Sequence, residues 1–458
     1  LPLCSLADDK VTMRVVRVLA GFVVVAVLAA IGFLMWAHRG EIAVATPPTS
    51  FDRELVARGE KLAAMGNCAS CHTVPGGFAF AGGVSIPTEF GTVYGTNITP
   101  DHDTGIGSWS QEAFFRAMRE GIDRAGNHLY PAFPYDHFTK LEDGDLSALY
   151  AYLMTRTAVR ARAPKNDLAF PLGFRPLLAG WKLLFFEPGR FQADPQQSAE
   201  MNRGAYLADA LAHCGACHTP RNALGAEQRR GEFAGGASAA WAAPAIDASN
   251  PAPVPWTAAT LTAYLRRGRA DHHGAAAGPM QEVARNLAVA EGDDVRALAT
   301  FVASRMGAPS QERDERARGL IAAAAERLPF NVPAPETMGS AAASVPAGAA
   351  LYAGACAVCH DAARTGGMDA IDLTLATGVQ LASPRNFLNV VLHGIRSPQH
   401  PSAVLMPGFA GAFTDAQLAE LAAYVRATYS IRPPWPDIAA TVRDIRRGEA
   451  ATTAEARL

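Results

Sequence analysis

Three copies of one five-residue pattern constrain this chain more than anything else in it. They are Cys68-Ala69-Ser70-Cys71-His72, Cys214-Gly215-Ala216-Cys217-His218 and Cys356-Ala357-Val358-Cys359-His360, about 145 residues apart. Together they use six of the seven cysteines. Two thiols three positions apart share one helical turn, and the adjoining histidine sets an imidazole beside them. That arrangement suits a porphyrin fixed by two thioethers with the imidazole beneath its iron, the attachment signature of c-type haem. Zinc would want four ligands, and each copy offers three. A redox dithiol of the thioredoxin kind would sit in a βαβ setting with no histidine following. The expectation is three covalently bound haem c groups with His72, His218 and His360 as axial ligands.

Even spacing calls for a search for repeats. A short helical lead precedes each motif: Arg58-Gly59 to Asn67, Arg203-Gly204 to His213, and Gly348 to Ala355. A second helical stretch ending in glycine follows, at Ser110–Gly121, Thr257–Gly268 and Pro384–Gly394. Ser108 with Gln111 reads as a capping box for the first of these, and the glycines suit helix C-termini. A third helix closes each unit, from Asp145, Asp294 and Gln417, with Tyr152, Phe301 and Tyr424 in matching places. A unit of ~100 residues has little core of its own, and a buried haem supplies the missing apolar centre.

The fold class expected is mainly α: three tandem class I cytochrome c domains and one N-terminal transmembrane helix. The domains are placed at 51–155, 200–306 and 344–430, with linkers at 156–199 and 307–343. The tail 431–458, opening with Arg432-Pro433-Pro434-Trp435-Pro436, is expected to lie extended on the surface.

Val18 to Ala37 is an unbroken apolar run. Twenty residues at ~1.5 Å each match a ~30 Å bilayer core. Lys10, Arg14 and Arg17 precede it, which keeps residues 1–17 cytoplasmic and sends the rest outside. A cleaved signal peptide at Ala43-Val44-Ala45 is the rival, but the run is long for one, and His38, Arg39 and Glu41 intervene. The location implied is a bacterial inner membrane, with the haem domains on the periplasmic side. Leu1-Pro2-Leu3 is a poor lipobox, so no role is expected of Cys4.

Class I cytochromes place a methionine on the far side of the iron. Met280 in Gly278-Pro279-Met280 lies twelve residues after Gly268, and Met406 in Met406-Pro407-Gly408 lies twelve after Gly394. Equal offsets mark both as sixth ligands. The same offset from Gly121 reaches Phe133, which cannot bind iron. Among His137, His128, Met118 and Met154, His137 is ranked first for the vacant place. His/His ligation would make the first haem the lowest in potential, since methionine ligation raises it.

Other signals are weaker. Asp101-His102-Asp103-Thr104-Gly105 reads as a turn, its glycine being misplaced for a calcium loop. The apolar stretch Phe170–Phe186 reads as interdomain core, ahead of a membrane or quinone contact. His272 and His273 read as loop residues beside Met280. There is no G-x-G-x-x-G, G-x-S-x-G or Walker pattern, so no substrate-oxidising site is expected. A net charge of −2 argues against a nucleic-acid partner.

Over roughly 51–429 the chain resembles the triple-haem cytochrome c subunit of bacterial membrane-bound dehydrogenases. The likeness is carried by FGTVYGTNITPDHDTGIG from Phe90, HLYPAFPYDHF from His128, HCGACHTPRNALGAE from His213 and GPMQEV from Gly278. Such subunits serve two enzyme classes. One oxidises alcohols, sugars or sugar acids with a quinoprotein or flavin partner. The other uses a molybdenum hydroxylase and a [2Fe–2S] subunit to oxidise aldehydes or N-heterocycles. The alcohol type usually has Met where this chain has Phe133. APAIDASNPAPVPWT from Ala242 and DHHGAAAGPM from Asp271 look more like the molybdopterin aldehyde dehydrogenase type. The resemblance implies electrons arriving from a catalytic dehydrogenase subunit through its [2Fe–2S] partner. They would leave to ubiquinone, with this chain anchoring the complex to the membrane.

Overall fold

The structure is a computed structural model, and it describes residues 5–48, 50–308, 310–326, 345–361, 370–400, 402–449 and 451. Cys4 lies outside them. The N-terminal helix runs Ser5–Ala37. Its apolar portion, Met13–Ala37, is long enough to cross a membrane, and neighbouring chain covers almost none of it.

Three helical units follow, each closed by the same crossing. In the first, a lead helix Arg53–Met65 starts at Asp52, whose carboxylate accepts from the Leu55 N–H at 2.9 Å. It lies across the closing helix Asp143–Met154 at Gly59, where a Cβ would fall 2.0 Å from the Ala148 carbonyl oxygen. In the second unit, Ala199–Tyr206 continues as a π-helical turn, Leu207–Leu211, and crosses Gly292–Arg305. There a Cβ on Gly204 would fall 2.1 Å from the Ala297 oxygen. In the third, Pro346–Ala355 crosses Asp415–Tyr429, and a Cβ on Gly348 would fall 2.2 Å from the Glu420 oxygen. Only glycine permits such an approach. The matching aromatics, Tyr152, Phe301 and Tyr424, pack directly against these glycines. Arg58 and Arg203, each one residue ahead of the glycine, bond Asp145 and Asp294 in the first turn of the closing helix.

The middle helices are Gln111–Glu120, Ala258–Arg267 and Arg385–His393. Gly121, Gly268 and Gly394 end them at φ of +60°, +72° and +71°. Thr257 and Thr260 cap each other reciprocally. The cap of the first helix is Ser110, which accepts from the Ala113 N–H at 3.1 Å. Ser108 is not the cap: it is buried, and its carbonyl takes the Ala45 N–H.

Units one and two share one continuous apolar core, running from Leu62 through Leu146 and Leu211 to Val302. The fully buried Asp145 sits at the seam, bonded to Arg58 on its own side and to the Tyr206 hydroxyl, at 2.6 Å, on the other. Unit three has a separate core around Tyr352, Leu418, Leu421 and Val425. It docks on unit two through amides and through a small apolar cluster in which Leu375 joins Val254, Ala317 and Ala324. Asn386 bonds both the N–H and the carbonyl of Ala242, at 2.9 and 2.7 Å, and Asn389 donates to the Ala240 carbonyl at 2.8 Å.

Two stretches read as connectors or surface belong to the units instead. Asp167–Leu168, in the 156–199 stretch, adds a third strand to the sheet formed by Ser85–Thr88 and Gly91–Tyr94. The tail is not extended. It forms a helix, Ile438–Arg446, that buries Val442 and Ile445, and Trp435 donates to the Leu381 carbonyl at 2.7 Å. The 307–343 stretch contributes the helix Gln311–Ala325, beyond which described residues resume at 345.

Candidate haem-binding sites

Each motif occupies a single turn of helix, Cys68–His72, Gly215–His218 and Ala357–His360. The six motif cysteines form no disulfides. Burial pushes the thiols of Cys68 and Cys214 up to about 12 and that of Cys356 up to about 11. Redox-active dithiols have the opposite bias, toward thiolate.

The three histidines are held alike. Nδ1–H of His72 donates to the Thr96 carbonyl at 2.5 Å, that of His218 to Pro244 at 2.7 Å, and that of His360 to Ile371 at 3.2 Å. Burial holds all three imidazoles below their usual range, so they stay neutral. With Nδ1 carrying the proton, the lone pair sits on Nε2, the form a metal-binding histidine takes. Two unpaired thiols beside a neutral imidazole with an assigned tautomer fit covalent haem c.

A further repeat supports the first two histidines, and the motifs quoted above do not contain it. Phe80-Ala81-Gly82-Gly83 and Phe233-Ala234-Gly235-Gly236 are the same four residues. Gly82 N–H donates to the His72 carbonyl and Gly235 N–H to the His218 carbonyl, both at 2.8 Å. Phe80 and Phe233 take left-handed backbone at φ +61° and +64°, and their N–H groups bond the Thr73 and Thr219 hydroxyls at 3.0 and 3.1 Å. Their rings meet Tyr152 and Phe301 edge-on. The tetrapeptide thus ties the back of the motif to the aromatic of the closing helix.

Cys214 and Met280 both line the shared core, and Cys356 and Met406 both line the third core. Met280 opens the helix Pro279–Ala288, and Met406 ends the strand Val404–Met406. Phe133 packs on Phe138, with ring centroids 5.4 Å apart, against the shared core. His137 is buried at the seam between units one and two. One ring nitrogen lies 2.6 Å from the Asp209 carbonyl and the other 3.0 Å from a Glu227 carboxylate oxygen. Both nitrogens are engaged, and the ring lies beside Gly215 of the second motif. His128 bonds the Ala37 carbonyl at 2.9 Å, and Met118 is buried in the core. His273 is buried and stacks 3.7 Å from Trp256, while its carbonyl takes the Thr377 N–H of unit three at 2.9 Å.

The first two motifs adjoin. Asn67 and His213, the residues just before Cys68 and Cys214, both have left-handed backbone, at φ +53° and +40°. Each reaches across the seam, Asn67 to Asn286 and His213 to the Gly66 carbonyl.

Helical units wrapped around paired thiols and a neutral imidazole define a c-type cytochrome. Residues 56–157 match the family described as cytochrome c, and residues 343–425 match that described as cytochrome C oxidase, cbb3-type, subunit III. A subunit of the nicotinate dehydrogenase of Pseudomonas putida is 44% identical over 91% of this chain, which spans only 34% of that protein's length. The fructose dehydrogenase cytochrome subunit of Gluconobacter japonicus is 35% identical, covering 82% of this chain and 80% of its own. The gluconate 2-dehydrogenase cytochrome c subunit of Pantoea cypripedii is 34% identical over 82% and 86%. The chain belongs to this family of dehydrogenase cytochrome c subunits, which transfer electrons for a catalytic partner.

Proposed function

We propose that the chain carries three haem c groups, one in each of three tandem cytochrome c domains, and relays electrons from a catalytic dehydrogenase to ubiquinone. The observation that carries this reading is the threefold recurrence of Cys-x-x-Cys-His on one helical turn, each time with the histidine Nδ1 bonded to a backbone carbonyl. Bound haem supplies a one-electron redox couple. The chain's part is to fix the imidazoles, exclude water, and hold the first two motifs on one core. The adjoining first and second motifs, and the docking of unit three on unit two, support the order one, two, three for the relay. Met280 and Met406 serve as sixth ligands. With both nitrogens of His137 bonded, that residue acts as a positioning group at the seam, and the ground for placing the first haem lowest in potential falls away.

The catalytic partner is of the molybdopterin type with a [2Fe–2S] subunit, acting on an aldehyde or an N-heterocycle. Nicotinate is a pyridine carboxylate, and 44% identity to a subunit of its dehydrogenase supports that branch. Likeness to the fructose and gluconate dehydrogenase subunits, over most of their length, favours a flavin or quinoprotein partner as the second reading. The N-terminal helix anchors the assembly in the inner membrane, with the haem units in the periplasm.

Purification of the intact complex in mild detergent tests these points together. The expected material has three haems per chain by pyridine haemochrome, with stoichiometric molybdenum and quinone reductase activity. Two haems would sink the count, and bound flavin or quinone cofactor without molybdenum would move the partner to the second class.

A further inference from the structure

The stretch 170–186, FPLGFRPLLAGWKLLFF, is folded inside out for a water-facing segment. Its helix, Leu177–Phe185, turns Lys182 toward the protein, 9% exposed, and Leu183 and Leu184 away from it, 73% and 69% exposed. Phe170 is 98% exposed and Phe174 is 50%. Its other cation, Arg175, also bonds inward, to the His128 carbonyl at 3.3 Å and to Asp123. Lys182 donates to the carbonyls of Glu120 and Gly121 at the end of the first middle helix and lies 4.6 Å from the Tyr135 ring centre. Burial lowers the Lys182 amine to about 7, and charged or neutral it still donates to these carbonyls, so this face is fixed inward. Surface helices in water present charge outward and leucine inward. The reversal calls for an apolar medium outside.

The position of the helix identifies that medium. A Cβ on Gly180 would lie 3.7 Å from the ring of Phe33 in the N-terminal helix. Phe33 sits three residues inside Trp36, about 4.5 Å deeper along the helix axis. Tryptophan marks the headgroup level, so the contact lies at the headgroup–acyl boundary, where interfacial helices bury their apolar faces. The end of the N-terminal helix is also clamped to unit one. His128 bonds the Ala37 carbonyl at 2.9 Å, Arg116 the Gly40 carbonyl at 2.8 Å, and Arg124 the Ile42 carbonyl at 2.9 Å.

We propose that 170–186 is a second membrane contact, a monotopic helix whose outward Leu183 and Leu184, with Phe170, enter the outer leaflet beside the N-terminal helix. Its occupant is the phospholipid bilayer. The proposal rests on the N-terminal helix spanning that bilayer. Two contacts and a clamped exit fix which face of unit one meets the lipid.

Cysteine accessibility tests it on the full-length haem-loaded chain, expressed without partner subunits in a Cys4→Ser background. Leu183→Cys and Leu184→Cys are the test positions. Val24→Cys, outward-facing at the middle of the N-terminal helix, is the reference expected to lie in lipid, and Val289→Cys, 70% exposed in unit two, is the aqueous one. Reaction with a polyethylene glycol maleimide in intact membranes is read as a gel shift on haem-stained bands, so only folded chain is scored. Maleimide needs the thiolate, which lipid suppresses. Positions 183 and 184 are expected to react at least about tenfold more slowly than 289. If they react as fast as 289 while position 24 stays protected, the second contact is refuted and the anchor stands. If position 24 reacts as well, the anchor reading falls and takes this one with it.

Discussion

Nε2 of His137 lies 3.0 Å from Oε1 of Glu227, closing the seam between the first two units with a bond between residues ninety positions apart. Burial disfavours the imidazolium, but the Glu227 carboxylate and the bonds to Asp209 and Glu227 overcome it and hold His137 well above its usual range. Burial likewise opposes the Glu227 carboxylate, and His137 holds it below its usual range. Asp136 also faces His137, its own carboxyl pushed up by burial, while Arg221 pairs with Glu227 and Lys140 with Asp209.

A raised histidine binds its proton more tightly in the folded chain than in the unfolded one. Its stabilisation is therefore full below about pH 6.5 and is lost as the pH rises through the folded value. The Tm of the haem-loaded chain should fall as the pH rises from 6.5 into the alkaline range. Glu227→Gln should flatten that slope and cost about 1.5–3 kcal/mol near neutrality, with the haem count unchanged. A first-haem spectrum altered by Glu227→Gln and abolished by His137→Ala would instead restore His137 as an iron ligand.

Gly348 meets the Glu420 carbonyl more closely than any Cβ tolerates, and unit three has its own core. Gly348→Ala should therefore injure one unit only. Overpacking of this kind costs about 1–3 kcal/mol. The haemochrome yield should drop toward two per chain while the first two sites keep their spectra. Loss at all three sites would show that the units do not fold separately.

Asn386 and Asn389 make the amide clasp on the Ala240–Ala242 backbone. Each neutral bond contributes about 1 kcal/mol. The double variant Asn386→Ala, Asn389→Ala should loosen the third unit without unfolding it. Pulse-reduction kinetics should show slower equilibration into one haem, with all three potentials unchanged. Unaltered kinetics would mean that other contacts set this docking.

Methionine ligation raises a haem potential. Met406→Ala should lower the midpoint of a single haem and leave the others in place, and Met280→Ala should do the same for a different haem. Spectroelectrochemical titration separates the two cases. A titration curve identical to that of the unaltered chain would remove the substituted methionine from the iron.

The helical repeat is legible in the chain because close crossing leaves a local mark: a glycine in one helix and an aromatic in another, at fixed distance from the thiols. The doubled Phe-Ala-Gly-Gly is equally visible, but its job emerges only when Gly82 and Gly235 are seen bonding the histidine carbonyls. The role of His137 is not legible, since its partners lie 72 and 90 residues away on another unit. Composition alone suggests that Phe170–Phe186 fills an interior. Apolar residues state a preference for leaving water but not for what replaces it, and the inward turn of Lys182 decides that. The first cap falls at Ser110 rather than Ser108, which is buried with its carbonyl bonded to the Ala45 N–H, a distant partner that local spacing does not show.

One core beneath two motifs has a kinetic meaning. Electron tunnelling rates depend steeply on edge-to-edge separation, and a gap spanned by a single packed interior cannot breathe without unfolding it. On the proposed relay, the first hop is therefore set by the packing that units one and two share. On the proposed three-haem reading the second hop crosses a smaller boundary, made of amide bonds and the apolar cluster of Val254, Ala317, Ala324 and Leu375, so tuning of throughput by motion or by a bound partner belongs there.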